Sequence, residues 1–279
     1  DKMLPAITQT MLKNHRFRTY YYGNFSAKES MGREFRSPPN DGTPIWRTFE
    51  HRPRYGNNYV GLRNRLTILS EAYSHLDFKG RVGVTEAFVE EILKYSAAHA
   101  AEILQLVKTV DRDVGERKQA GVAFEMRPLP QPVDILVGEV EKVRNSRTGG
   151  EMTSMIGNKF RPVRMPDYGL FAATRSTSVP RAYIFRREPD LQTVPENLHI
   201  HGIAVEELTA PVSPDVDAFA IDEVVRAERA FQNHNEVAIR GSVRKDTIAF
   251  PAGSVVVRAA QSLSPLIFYL LEPESDDGL

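Results

Sequence analysis

The chain has 279 residues, 41% hydrophobic and 26% charged, with thirty-six basic side chains offset by thirty-six acidic ones. This is the composition of a globular chain long enough for one large domain or two, and its neutrality offers no broad attraction to nucleic acid or an anionic membrane. The lack of cysteine excludes disulfides, thiol catalysis and thiolate-bound zinc.

No apolar run approaches the roughly 20 residues that a membrane span requires, and the N-terminus shows no basic segment leading into an apolar one. An opening at Asp1 fits a processed or truncated product, so the compartment, secreted or periplasmic among others, stays open.

In chain order, Leu4, Ile7, Met11 and Leu12 recur at helical spacing and predict a short helix ending near Asn14. Phe17 to Phe25 predicts a strand closed by the turn residues Gly23-Asn24; its Tyr20-Tyr21-Tyr22 run suits sheet packing or the lining of a peptide site. Ser37 to Thr43 predicts a loop and Trp46 to Glu50 a resumed strand.

The densest stretch follows, Pro53 to Tyr73. Gly56-Asn57-Asn58 predicts a turn and Arg65 to Leu69 a short buried strand, with Glu71 just past its apolar part. Ligands of open α/β sheets gather outside the carboxyl ends of strands, which makes Glu71 a candidate site residue. The plainer alternative is an ion pair between Glu71 and Arg63 or Arg65.

From about Arg81 to Lys118, apolar residues at spacings of three and four predict a long helix covering a sheet, with a break near Asp111 or Gly115 and an end by Gly121. Glu86, Glu90 and Glu91 fall outside its apolar stripe. Beyond Val122 the segments shorten and turn β-branched or aromatic, among them VAFEMR, VDILVGEV, RAYIF, HIHGIAVEEL, EVAIRGSV, SVVVRAA and LIFYLLE. The pattern predicts an α/β part over residues 1–120 followed by an all-β sandwich-like part over 121–279.

Gly149-Gly150 reads as a hairpin or loop tip, and Glu272, Glu274, Asp276 and Asp277 as a solvated acidic tail. No nucleophile elbow or phosphate-binding loop occurs. Two histidine groups merit weighing as metal ligands. His99 and Glu102 match His-x-x-Glu, but helical projection puts His99 inside the apolar stripe, as a packed residue. His199 and His201 alternate on one face of a predicted strand, with His234 as a third member, yet no carboxylate is fixed to them by spacing and a surface pair is expected.

The run GNNYVGLRNRLTILSEAYS resembles the late catalytic segment of bacterial zinc carboxypeptidases of the M14 class, and the likeness extends from the LPAI start to the LLEPESDDGL end. It implies a partial carboxypeptidase-like α/β domain with a β-rich C-terminal companion, acting on a peptide substrate. In such enzymes a strand ends in the general-base glutamate, the position of Glu71 here. The resemblance implies zinc in the intact protein, held by His-x-x-Glu and a later His that precede the matched segment; His99 and Glu102 follow it, so none of the metal is expected on this chain.

Tyr59 or Tyr55 would correspond to the substrate-side tyrosine, at a shorter spacing from Glu71 than the family's. Arg63 would meet a substrate carboxylate or else pair with Glu71. The missing upstream half of the catalytic domain is then a partner, and a sheet edge bared before about Lys118 would invite self-association. The alternative is a non-catalytic peptide- or glycan-binding module on a peptidase-like remnant.

Overall fold

A computed structural model describes residues 2–26, 44–74, 76–231 and 233–278. The chain is mixed α/β. Its helices are α1 (Met3–Thr10, continued by a π-helical turn, Met11–His15), α2 (Gly56–Leu62), α3 (Phe78–Ala98), α4 (Ala100–Asp113), α5 (Thr193–Ile200) and α6 (Ser264–Leu271). The early strands are β1 (Asn24–Ser26), β2 (Ile45–Arg47), β3 (Gln119–Arg127), β4 (Val133–Arg144), β5 (Glu151–Met165), β6 (Asp167–Tyr168) and β7 (Leu170–Ser178). The later ones are β8 (Ala182–Phe185), β9 (Glu206–Glu207), β10 (Asp215–Phe231), β11 (His234–Thr247) and β12 (Val255–Arg258).

The strands form small sheets, ordered β1-β2-β6 and β8-β12-β9 or paired as β3-β7, β4-β5 and β10-β11, with no closed barrel among the described residues. The residues group into two compact units, each assembled from separated stretches: Asp1–Glu50, Ile68–Ile103 and Glu125–Ala172 in one, His51–Thr67, Leu104–Phe124 and Ala173–Leu279 in the other.

In the first unit α1 packs on α3. Ile7 and Met11, on the face that the spacing predicts, are buried with Ala87 and flanked by Ile68, Val84, Phe88 and Ile92. Glu91 departs from its expected place outside the stripe: it is buried, and its carboxylate meets His15 Nε2 at 2.8 Å and Lys94 Nζ at 3.2 Å. A carboxylate enters such a core only with partners; the hydrogen bond to His15 and then that to Lys94 outweigh burial and hold its carboxyl below the ordinary range. The long helix breaks at His99, earlier than expected, where φ is −115° and ψ 21°. There the imidazole Nδ1 lies 2.9 Å from the Tyr95 carbonyl and the ring stacks on Tyr95, so the side chain bonds the backbone of the preceding turn.

The second unit is organised around Leu198, Ile203, Val255, Val257, Leu266 and Ile267, all essentially inaccessible to solvent. β12 runs between β8 and β9, pairing Val257 with Tyr183 and Val255 with Phe185 and Glu207.

Several expected strands are absent. Gly56-Asn57-Asn58 opens α2 rather than making a turn, because Tyr59 and Leu62, three apart on one helix face, pack against this core. Arg65 to Leu69 is neither strand nor buried: it has no regular structure, and Leu66 and Leu69 are each 55% exposed. LIFYLL, read as a strand, forms α6, with Pro265 in its first turn and Leu266, Ile267, Phe268 and Tyr269 all buried. Periodicity cannot separate a short buried strand from a helix buried on every side.

His199 and His201 sit at the end of α5, not on a strand. Gly202 takes φ +79°, its N–H donates to the His199 carbonyl and the Ile203 N–H to the Leu198 carbonyl, with Leu198 and Ile203 meeting in the core. That is the Schellman way of closing a helix, and it needs a residue without Cβ at the left-handed position.

In the first unit only Asn24–Ser26 of the Phe17–Phe25 segment is a strand, so the tyrosine triplet lies outside it. Strand resumes at Ile45–Arg47, and the expected loop from Ser37 to Thr43 lies outside the described residues. Asn145 to Gly150 forms the tip between β4 and β5 as expected, with Gly149 at φ +72°.

Candidate functional site

Glu71 belongs to the first unit; Tyr55, Tyr59 and Arg63 belong to the second. Glu71 lies in an irregular, exposed segment, not at the end of a strand. Burial, then the charge and hydrogen bonding of Glu71, push the Tyr22 phenol above its ordinary value, so the two side chains are neighbours. The residue after Glu71, Ala72, lines a shallow groove of about 470 Å³ together with Phe78, Arg81, Val82, Thr85 and Glu86. The Arg81 guanidinium lies 6.0 Å from the Phe78 ring centre, so the groove combines an apolar floor with both signs of charge.

The arginines expected to neutralise Glu71 have other partners. Arg65 donates to Asp111 at 2.9 Å. Arg63, at the C-terminal cap of α2, donates from Nη1 to Tyr59 Oη at 3.1 Å and to the His201 carbonyl at 2.6 Å, with its guanidinium carbon 5.6 Å from the Tyr59 ring centre. Tyr59 Oη lies 2.8 Å from His201 Nδ1. The Tyr59 oxygen accepts from Arg63 and has a second lone pair, so it donates to Nδ1 of a neutral ring protonated at Nε2 and accepts from a ring protonated at Nδ1. Burial, helped by the Arg63 charge, lowers the His201 pKa and favours the neutral form.

The Nε and Nη2 edge of Arg63 donates to no acceptor among the described residues, and Nη2 lies 4.0 Å from where a Cβ on Gly202 would stand. A planar fork of this kind matches a carboxylate.

Tyr55 caps the N-terminus of α2 in extended conformation and its carbonyl accepts from the Tyr59 N–H, so it serves the helix start. Tyr59 and Arg63 thus meet each other on α2, whereas the expected alternative partner of Arg63, Glu71, is not among its bonds. His201 is the partner that the sequence reading missed. Its signal was the glycine after an apolar helix-length segment, His201-Gly202, a helix stop hidden by β-branched neighbours.

Zinc does not fit the described residues. His99 is committed to the Tyr95 carbonyl and Glu102 to Lys2 at 2.6 Å. His201 bonds Tyr59, and His199 stands two positions away on a helix end rather than beside it on a strand. Among the described residues no group of three or more His, Asp or Glu side chains is placed to hold a metal ion. No described helix is long and apolar enough to cross a membrane. Compared with known proteins, the chain matches no family model, no curated protein and no solved structure.

Proposed function

We propose that the chain is part of a zinc-dependent metallocarboxypeptidase that hydrolyses peptide or amide bonds, and that Glu71 is its general base. The metal ligands belong to polypeptide outside these residues. What carries the proposal is the state of Glu71 within the run GNNYVGLRNRLTILSEAYS: an exposed carboxylate in the unit that holds the groove lined by Ala72, Phe78 and Arg81. The arginines that would have made it a structural ion-pair partner are bonded to Asp111, Tyr59 and His201.

Glu71 takes a proton from the attacking water and returns it to the leaving nitrogen, a role that depends on charge and position. Arg63, in the second unit, presents a fork that matches a carboxylate, and the bonds to Tyr59 and His201 hold that fork in place. The earlier helices belong to the carboxypeptidase-like part and the later strands to a sandwich-like companion.

The reading is tested in a chain extended upstream through a His-x-x-Glu motif and a later His. A peptide with a free C-terminus should lose its last residue in a zinc-dependent manner, and the same peptide amidated should be a poor substrate. Equal turnover of both peptides, or no cleavage by the zinc-loaded chain, overturns it.

A non-catalytic peptide- or glycan-binding module is the second reading. It is favoured by part-exposed rings in the first unit, where Tyr20 stands 5.4 Å from Tyr21 and 6.1 Å from Trp46, a surface suited to stacking. Under it, binding of a peptide or glycan would persist with no turnover in the extended chain.

A further inference from the structure

Among the described residues β10 and β11, seventeen and fourteen residues long, pair only with each other, and none of their described residues is buried. A two-stranded ribbon standing alone is at best marginally stable in water. Its register sorts the side chains onto two unlike faces.

One face carries Ala218 opposite Arg244, Ala220 opposite Ser242 and Glu223 opposite Arg240, the last an ion pair at 3.0 Å. Glu236 alternates onto this same face and accepts from Arg52 and Arg54, each at 2.6 Å, tying the ribbon to its own unit. The other face carries Phe219 opposite Val243, Val224 opposite Ile239 and Arg226 opposite Val237, with Ile221 between the first two pairs after which one extra residue bulges. Ile221, Val224, Val237 and Val243 are each about half exposed or more, at 56%, 51%, 49% and 58%. The first face, which also carries Val225 opposite Ala238, is thus tied to its unit at Glu236, while the second, richer in large apolar side chains, stands mostly exposed.

We infer that this apolar face is where a second copy of the chain docks, ribbon against ribbon. The charges bounding it are self-complementary. At one end Asp217 and Lys245 are paired across the strands, and at the other stands Arg226. If two ribbons stack about a twofold axis and run in the same direction, Asp217 of each lies over Lys245 of its mate; if they run oppositely, Asp217 lies over Arg226. Each twofold stacking therefore brings opposite charges together around an apolar centre, and neither sets like charges at Asp217.

The face is about ten residues long at ~3.3 Å each and two strands wide at ~4.8 Å spacing, a few hundred Å² per partner. A standard stable interface takes about 800 Å² per partner, so the association is of the weak, reversible class.

Sedimentation of this chain from about 1 to 200 µM tests the inference. The expected result is a monomer–dimer equilibrium that Val224→Asp weakens at least tenfold while Val225→Asp, on the opposite face, leaves unchanged; both variants should keep the wild-type circular dichroism spectrum. Asp217→Lys should also weaken the dimer, and a second change should restore it: Lys245→Asp if the ribbons run together, Arg226→Asp if they run oppositely. A strict monomer at every concentration overturns the inference, as does a dimer indifferent to both Val224→Asp and Asp217→Lys. Loss of the dimer with Val225→Asp to the same extent also overturns it, since the apolar face would then have no special part.

Discussion

Two stretches share one sequence signature, a short apolar run closing in acids: Arg65 to Glu71 and Leu266 to Asp277. In the first, Leu66 and Leu69 stand 55% exposed and the final carboxylate is open to solvent. In the second, Leu266, Ile267, Phe268 and Tyr269 form the centre of a helix buried on every side, and the acids that follow fold back instead of trailing into water.

Those acids are all engaged. Asp276 accepts from the Tyr269 hydroxyl and from His51 Nε2, Asp277 from Arg54, Glu274 from Arg175, and Glu272 from the Tyr183 hydroxyl. A run of acids is a solvated tail only when no complementary donors await it, and His51, Arg54 and Arg175 stand far off in sequence. The difference teaches that what an apolar run becomes is decided by its distant neighbours, and what an acid becomes by distant donors.

The largest expected effect lies in the covered stretch. Ile267→Ala removes a side chain with no solvent exposure from the centre of the second unit's core, and should cost about 2–5 kcal/mol in denaturant unfolding. A loss under about 1 kcal/mol would mean that α6 is not packed as described.

Next in size is Asp276→Asn, which removes the charged acceptor facing His51 and Tyr269 and should cost about 1–3 kcal/mol at neutral pH. Burial opposes ionisation of Asp276, but the hydrogen bonds from His51 and Tyr269 prevail and hold its carboxyl below the ordinary aspartate range. A folded-state pKa that is depressed stabilises above the unfolded value and loses that contribution as pH falls through the folded one. The gap between wild type and variant should therefore be full near neutrality and close on acidification below about pH 4. Burial raises the Glu272 pKa, which works in the opposite direction, but Glu272 is common to both proteins and cancels in the difference. A gap that widens with acid would reverse the assignment.

The smallest effect belongs to the exposed stretch: Leu69→Ala should change stability by no more than about 0.5 kcal/mol. A cost above about 2 kcal/mol would show that Leu69 is covered in solution and would erase the contrast between the two runs.

What the sequence made legible followed from periodicity over long elements. The 3–4 spacing through Phe78, Val82, Phe88 and Ile92 predicts α3, although Phe78, Val82, Val89 and Leu93 of that stripe are exposed and the packed face is Val84, Ala87, Phe88 and Ile92; EVAIRGSV gives part of β11. What it hid were elements of eight residues or fewer, α2, α5 and α6, where tertiary burial of Tyr59, Leu198 and Ile267 overrides local preference. The helix-stop chemistry at His201-Gly202 was written in the chain but masked by β-branched residues on either side. For the candidate site, Tyr59 and Arg63 were singled out one by one, but their meeting four apart on one helix was hidden with α2 itself. Their bond to His201 was hidden as well, since it spans the distance between α2 and the end of α5 and no spacing rule reaches that far.

The central claim is that Glu71 acts as a base rather than as a structural ion. The direct measurement is turnover of a free-acid peptide by the upstream-extended, zinc-loaded chain with and without Glu71→Gln, which keeps shape and hydrogen bonding and removes the base. The account predicts unchanged zinc content, an unchanged melting temperature and a fall in kcat of about a hundredfold or more, the scale of losing a positioned acid–base group. Unchanged kcat, or loss of zinc together with activity, would contradict it.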